Sequence, residues 1–186
     1  NNGTAYTFNN VAINDGNQGI QQSNYELTTD SGTIYTFNNT LQAPSEATFN
    51  RISPPSFNTD PRDHNLAVLV VQNNLMISTN HEVLQGIKTT SFTESNNTGY
   101  TNAEATSANY VSTSTYPYQP PSGGTTVGTG IAIDCSGIGL VDASPSLALT
   151  DCLKDTTLGV VYNATTHTVT YPKRTAIVRG ATWDIG

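Results

Sequence analysis

Two short stretches carry residue types that could do hydrolytic chemistry. Asp30-Ser31-Gly32-Thr33 matches the core of the aspartic peptidase signature, in which paired carboxylates share a proton and activate a water. The second carboxylate must come from a second such motif or from a symmetric partner. The nearest candidate, Asp134-Cys135-Ser136-Gly137, has one residue too many, and Asp-Ser-Gly is also an ordinary turn. His81-Glu82 begins like the zinc peptidase motif His-Glu-x-x-His, but position 85 is Gln85, so the second ligand one helical turn on is missing. His64, His81 and His167 have no ligand spacing between them, and a lone His is more often a hydrogen-bonded surface residue than a ligand. Neither a Gly-x-Ser-x-Gly elbow nor a phosphate-binding Gly-rich loop with Lys occurs. The expectation is therefore a protein that is not an enzyme, with no catalytic residue, no metal site and no cofactor.

Other side chains allow binding or cross-linking chemistry. Tyr100, Tyr110, Tyr116, Tyr118 and Trp183 could form a sugar-stacking platform. Such a platform needs exposed rings, and Tyr in a β protein is more often half-buried with its hydroxyl at the rim. Lys88, Lys154 and Lys173 sit in no recognisable isopeptide signature and read as solvated lysines. Cys135 and Cys152 stand 17 residues apart without a Cys-x-x-Cys. Two thiols cannot close a four-ligand metal site, which leaves a disulfide or two buried thiols; an extracellular-looking composition favours the disulfide. Closing a loop of that size stabilises a fold by about 3 kcal/mol in the chain-entropy model.

The composition bounds what the elements can be. The 186 residues include 30 Thr, 20 Asn and 15 Ser, about as many as all the apolar residues together, while only 11% are charged. So little charge cannot hold a chain open by repulsion, and Thr, Val, Ile and Tyr suit a half-buried pleated surface. With a net charge of −7 and seven scattered basic residues, a nucleic-acid surface is excluded. The longest apolar run, Leu66 to Val71, is strand-sized, far below the roughly 20 residues of a membrane span. The opening Asn1-Asn2-Gly3, without Met, reads as a mature secreted chain whose signal peptide has been removed.

Four Asn-x-Ser/Thr sequons, at Asn2, Asn38, Asn96 and Asn163, are candidate N-glycan acceptors. Chance alone would give about five in this composition, so their number carries no information; Asn96 and Asn163 fall in polar, turn-like stretches where an acceptor must be exposed.

The strongest internal signal is a repeat. Gly3-Thr4-Ala5-Tyr6-Thr7-Phe8-Asn9-Asn10 recurs as Gly32-Thr33-Ile34-Tyr35-Thr36-Phe37-Asn38-Asn39, seven identities in eight at a spacing of 29. Both copies alternate apolar and polar residues, with a bulge expected at the Asn pair, so they read as strands with one structural role. Either they are two strands of one sheet, or they occupy equivalent grooves in different molecules. Leu66 to Gln72 and Leu75 to Thr79 flank Asn73-Asn74, which reads as a two-residue hairpin turn because Asn tolerates positive φ. A second hairpin is expected around Asn163-Ala164-Thr165. Some ten short strands and no convincing helix predict an all-β sandwich, Ig-like or pilin-like, of antiparallel strands. Its domains are an N-terminal arm over 1–13, a linker over 14–24 and the sandwich over 25–186.

A Thr-, Asn- and Ser-rich chain with sequons and a detachable N-terminal strand resembles the archaeal thread-type pilins, glycosylated β-sandwich subunits of extracellular cell-surface filaments. That resemblance implies a homopolymer joined head to tail by donor-strand complementation. Tyr6, Phe8, Val11 and Ile13 of one subunit would then plug an open groove in the next, with identical subunits as partners and N-linked glycans on the surface. A sandwich lacking one strand exposes an unpaired edge that another chain's strand removes. The alternatives are a secreted carbohydrate-binding or adhesive module and a viral coat β protein.

Overall fold

The computed structural model describes residues 3–13, 31–43, 66–79, 89–110, 118, 120–155, 161–163, 165–170 and 177–186. Its first half is built from four coils of one kind. Each runs along a longer strand, bends at an Asn-Asn pair and continues along a shorter one: β1 (Thr4–Phe8) and β2 (Val11–Ile13), β3 (Ser31–Phe37) and β4 (Thr40–Gln42), β5 (Leu66–Gln72) and β6 (Leu75–Ser78), β7 (Thr89–Ser95) and β8 (Thr98–Thr101). The longer strands form one four-stranded sheet in the order β1-β3-β5-β7, and the shorter ones a second in the order β2-β4-β6-β8. Every pairing in both sheets is parallel, and the repeated octapeptides lie on one another residue for residue: Tyr6 on Tyr35, Phe8 on Phe37. The arrangement is a parallel β-solenoid, in which each coil contacts its neighbours in the stack.

This corrects the expected antiparallel β-sandwich. Alternating polarity and turn residues are shared by both architectures; what separates them is whether a strand pairs with the next strand in sequence or with the one a full coil later. Asn73-Asn74 shows why the hairpin does not form. Asn73 has φ 55°, as expected, but Asn74 stays outside the left-handed region, whereas a type I′ hairpin turn needs positive φ at both central residues. One left-handed residue bends the chain from the first sheet into the second without reversing it. The same holds at Asn9, Asn38 and Asn96, with φ of 56°, 51° and 54°.

Strand alternation sends side chains to two layers. Ile34, Leu69 and Val71 share one face of the longer-strand sheet and pack with Leu66. On the other face Tyr6 stacks on Tyr35 (5.5 Å) and Phe8 on Phe37 (4.9 Å). Those rings are covered by Ile133, Cys135, Leu140, Cys152 and Trp183 from the C-terminal half. Leu75 and Ile77 of the second sheet are covered by Ala105, Tyr110 and Ile185.

The remaining elements are α1 (Asn102–Ser107), β9 (Asp142–Ala143), β10 (Ser146–Leu147), α2 (Ala148–Cys152), β11 (Lys154–Asp155), β12 (Val161–Asn163), β13 (Thr168–Thr170) and β14 (Ile177–Val178). α1 starts at a capping box in which Thr101 and Glu104 satisfy each other's backbone N–H groups. The expected hairpin at residues 163–165 is present as antiparallel β12 and β13. Gly130 pairs with Trp183 in an isolated bridge; a Cβ there would lie 2.9 Å from the carbonyls of Trp183 and Asp184, so only Gly fits. The expected linker 14–24 lies outside the described residues, whereas residues 4–13 pair with β3 and β4 of their own chain.

Candidate functional site: the asparagine corner and the coil ends

The four Asn-Asn pairs form two columns with different tasks. The second Asn of each pair stacks on its equivalents through the amides: Asn10 Nδ2 donates to Asn39 Oδ1, Asn39 Nδ2 to Asn74 Oδ1 and Asn74 Nδ2 to Asn97 Oδ1, each at 2.9 Å. The backbone N–H groups of Asn10, Asn39 and Asn74 donate to the same oxygens at 3.1, 3.1 and 2.9 Å. Asn39, Asn74 and Asn97 also donate through Nδ2 to carbonyls one coil back, those of Thr7, Thr36 and Val71. Asn39 and Asn74 are fully buried, where an unpaired amide would be costly, so the ladder satisfies groups that the bend itself buries.

The Asn-to-Asn bonds of the ladder all point the same way, so the column has two unlike ends. At the first coil Asn10 Oδ1 accepts no hydrogen bond from the described residues, although Oδ1 of Asn39, Asn74 and Asn97 each accepts two from the coil before. At the fourth coil the Asn97 backbone N–H has no acceptor among the described residues, and Nδ2 meets Glu94 Oε1 at 3.4 Å in place of a further Asn oxygen.

The first Asn of each pair faces the C-terminal layer. Asn9 Nδ2 donates to Asp151 O (3.0 Å), Asn38 Nδ2 to Asp184 O (2.8 Å), Asn73 Nδ2 to Ile131 O (2.7 Å) and Asn96 Nδ2 to Thr129 O (2.8 Å). Arg179 reaches Asn9 Oδ1 at 2.8 Å while its guanidinium lies 4.5 Å over the Trp183 ring. One left-handed column thus ties the sheets to the covering layer at Thr129, Ile131, Asp151, Arg179 and Asp184.

The residues expected to plug a neighbour's groove sit as follows. Tyr6 and Phe8 pack inside their own chain, and the Tyr6 hydroxyl donates to Ile138 O at 2.6 Å. Val11 and Ile13 are exposed at 59% and 38%. Among the sequons, Asn38 is buried with its amide engaged, Asn96 is exposed at the corner, Asn163 ends β12, and Asn2 lies outside the described residues. Cys135 and Cys152 form the expected disulfide, with S–S 2.04 Å, between the 133–140 segment and α2.

The five rings considered for sugar stacking are not brought together as an open platform. Tyr110 and Trp183 are buried, and the Tyr110 hydroxyl is hydrogen-bonded to Thr126, its pKa raised by that burial. Tyr100 tilts against Tyr110 at 5.5 Å, Tyr118 packs on the same cluster, and Tyr116 lies outside the described residues. Asp30, His64, His81, Lys88 and Lys173 also lie outside them; His167 is exposed beside β13. Asp134 accepts the Gly137 N–H and the Ser136 hydroxyl of its own turn, which holds its pKa below the usual carboxylate range. Asp142 is held low in the same way by the Thr150 hydroxyl and N–H. Both are exposed carboxylates whose ionised form is favoured by the hydrogen bonds they accept. Among the described residues no group of three His, Cys, Asp or Glu could hold a metal ion, and no helix is long and apolar enough to cross a membrane.

The reading from sequence missed the corner itself. Its signal is four Asn-Asn pairs, each after a strand-like run, but their spacings of 29, 35 and 23 hide the period. No protein-family model, curated protein or solved structure matches this chain.

Proposed function

We propose that this protein is a structural subunit of an extracellular polymer, a surface filament whose joints are made by coil ends of the solenoid. One observation carries the reading. Among the described residues β1 and β2 each have a single strand neighbour, yet the longer strand and corner of the first coil repeat those of the second at seven of eight positions. A strand that fits β3 so closely offers on its other edge the surface that β3 offers to it. Free parallel edges of this kind are templates for another chain, and a contact between unlike ends repeats into an open filament. The disulfide and the hydroxyl- and amide-rich, weakly charged composition suit an extracellular setting. N-glycans fit at Asn96, where a glycosylated amide keeps one hydrogen for Thr129 O, but not at Asn38 without opening the corner.

Sedimentation velocity across a hundredfold range of concentration, with negative-stain electron microscopy of the same samples, tests the reading. Concentration-dependent fibres are expected. A chain that stays monomeric throughout overturns it.

A further inference from the structure

We infer that the joint is a head-to-tail stack in which the fourth coil of one copy sits on the first coil of the next, continuing both parallel sheets and the asparagine ladder across the boundary. The inference rests on the polymer reading above and adds the partner surface, the polarity and the register. Polarity comes from the ladder. Every internal step donates from one Asn N–H and Nδ2 to the Oδ1 of the following coil. The fourth coil therefore ends in donors on Asn97 that lack the next oxygen, and the first coil begins with an oxygen on Asn10 that lacks the previous donors. Two first coils brought together would oppose acceptor to acceptor. Only the first-on-fourth stack pairs donor with acceptor in the sense that the chain already uses three times.

Side-chain columns agree with that register. Ala5, Ile34, Leu69 and Phe92 form one column and Thr7, Thr36, Val71 and Glu94 the next. Phe92, 40% exposed on the last coil, would meet the small Ala5 of the next copy rather than another large side chain. Glu94 opposes the stack. Its carboxylate occupies Asn97 Nδ2 in the separate chain and would have to leave that donor and lose water on joining, as inward-pointing charges do on guarded sheet edges. The joint is thus built to form weakly at low concentration.

The register places Ser91 of one copy opposite Thr4 of the next, by continuation of Thr4, Thr33, Val68 and Ser91. Adjacent strands lie about 4.8 Å apart, within the disulfide range of about 4.4–6.8 Å between Cα atoms. The full chain carrying Thr4→Cys with Ser91→Cys, mildly oxidised and run on a non-reducing gel, should give a ladder of covalent multimers. Each single variant, and the off-register pair Thr4→Cys with Ala103→Cys, should stay monomeric. Covalent dimers from a single variant overturn the polarity. Fibres by microscopy without cross-linking of the 4/91 pair overturn this joint while the polymer reading stands; absence of fibres from the unmodified chain overturns both. Glu94→Gln provides a second readout that leaves the backbone unchanged: it should lower the concentration at which fibres appear about tenfold. An unchanged or higher threshold would also overturn the inference.

Discussion

Asn74 accepts from the N–H and Nδ2 of Asn39 and donates to Thr36 O, Gln72 O and Asn97 Oδ1, all from a fully buried side chain. Asn10 has the same residue type and the same place in its coil, but it is exposed and its Oδ1 accepts no hydrogen bond from the described residues. Truncating the two should therefore have unequal consequences. Asn74→Ala strands the buried N–H and Nδ2 donors of Asn39 and takes one of the two donors from Asn97 Oδ1, so it should cost about 3 kcal/mol of unfolding free energy, against about 1 kcal/mol or less for Asn10→Ala. Urea titrations of the monomer measure both; equal losses would mean that the buried ladder does not act as a unit. The two duties of an Asn-Asn pair were not legible in the sequence. Asn is polar, common at turns and common here, so neither its burial nor the division into a left-handed residue and a ladder residue follows from type alone.

Among the elements, those specified by local chemistry were readable and those specified by stacking were not. The strands around 66–72 and 75–78 follow from short apolar runs, and the hairpin at β12 and β13 from strand-like stretches on either side of turn residues. α1 was missed although Thr101-x-x-Glu104 spells its capping box, because six residues with little apolar content give no periodicity to read. Parallel pairing has no local signature: the partner of β3 is β5, 35 residues on, and the return path between them is not written in either strand. The disulfide acts at this scale. It joins α2 to the segment that covers the Tyr6/Tyr35 and Phe8/Phe37 stacks, so it fastens one layer onto another. Cys135→Ser with Cys152→Ser should lose about 3 kcal/mol by urea unfolding. Near-ultraviolet dichroism should weaken as the tyrosine stack loosens. An unchanged midpoint with an unchanged spectrum would show that the apolar cover holds without its covalent tie.

At the scale of the whole molecule, insertion of the N-terminal strand into another subunit and stacking of coil ends make opposite predictions for a chain lacking residues 1–13. Insertion makes Tyr6, Phe8, Val11 and Ile13 the plug itself, so removing them must abolish assembly. Stacking makes them one coil among four. Their removal exposes β3 and β4; Gly-Thr-x-Tyr-Thr-Phe-Asn-Asn over 32–39 differs from the lost octapeptide at a single position, β4 differs from β2 at all three, and Asn39 Oδ1 takes the place of Asn10 Oδ1 at the acceptor end of the ladder. The new end is a poorer fit in one column, since Phe92 would meet Ile34 instead of Ala5, and the covering layer loses the rings of Tyr6 and Phe8. The truncated chain should therefore unfold at a lower urea concentration and still form fibres, at a threshold raised about tenfold or less. Sedimentation and microscopy on the truncated and full chains decide between the two. Complete loss of fibres from a truncated chain that remains folded would make the first coil a required plug and would sink end-on stacking.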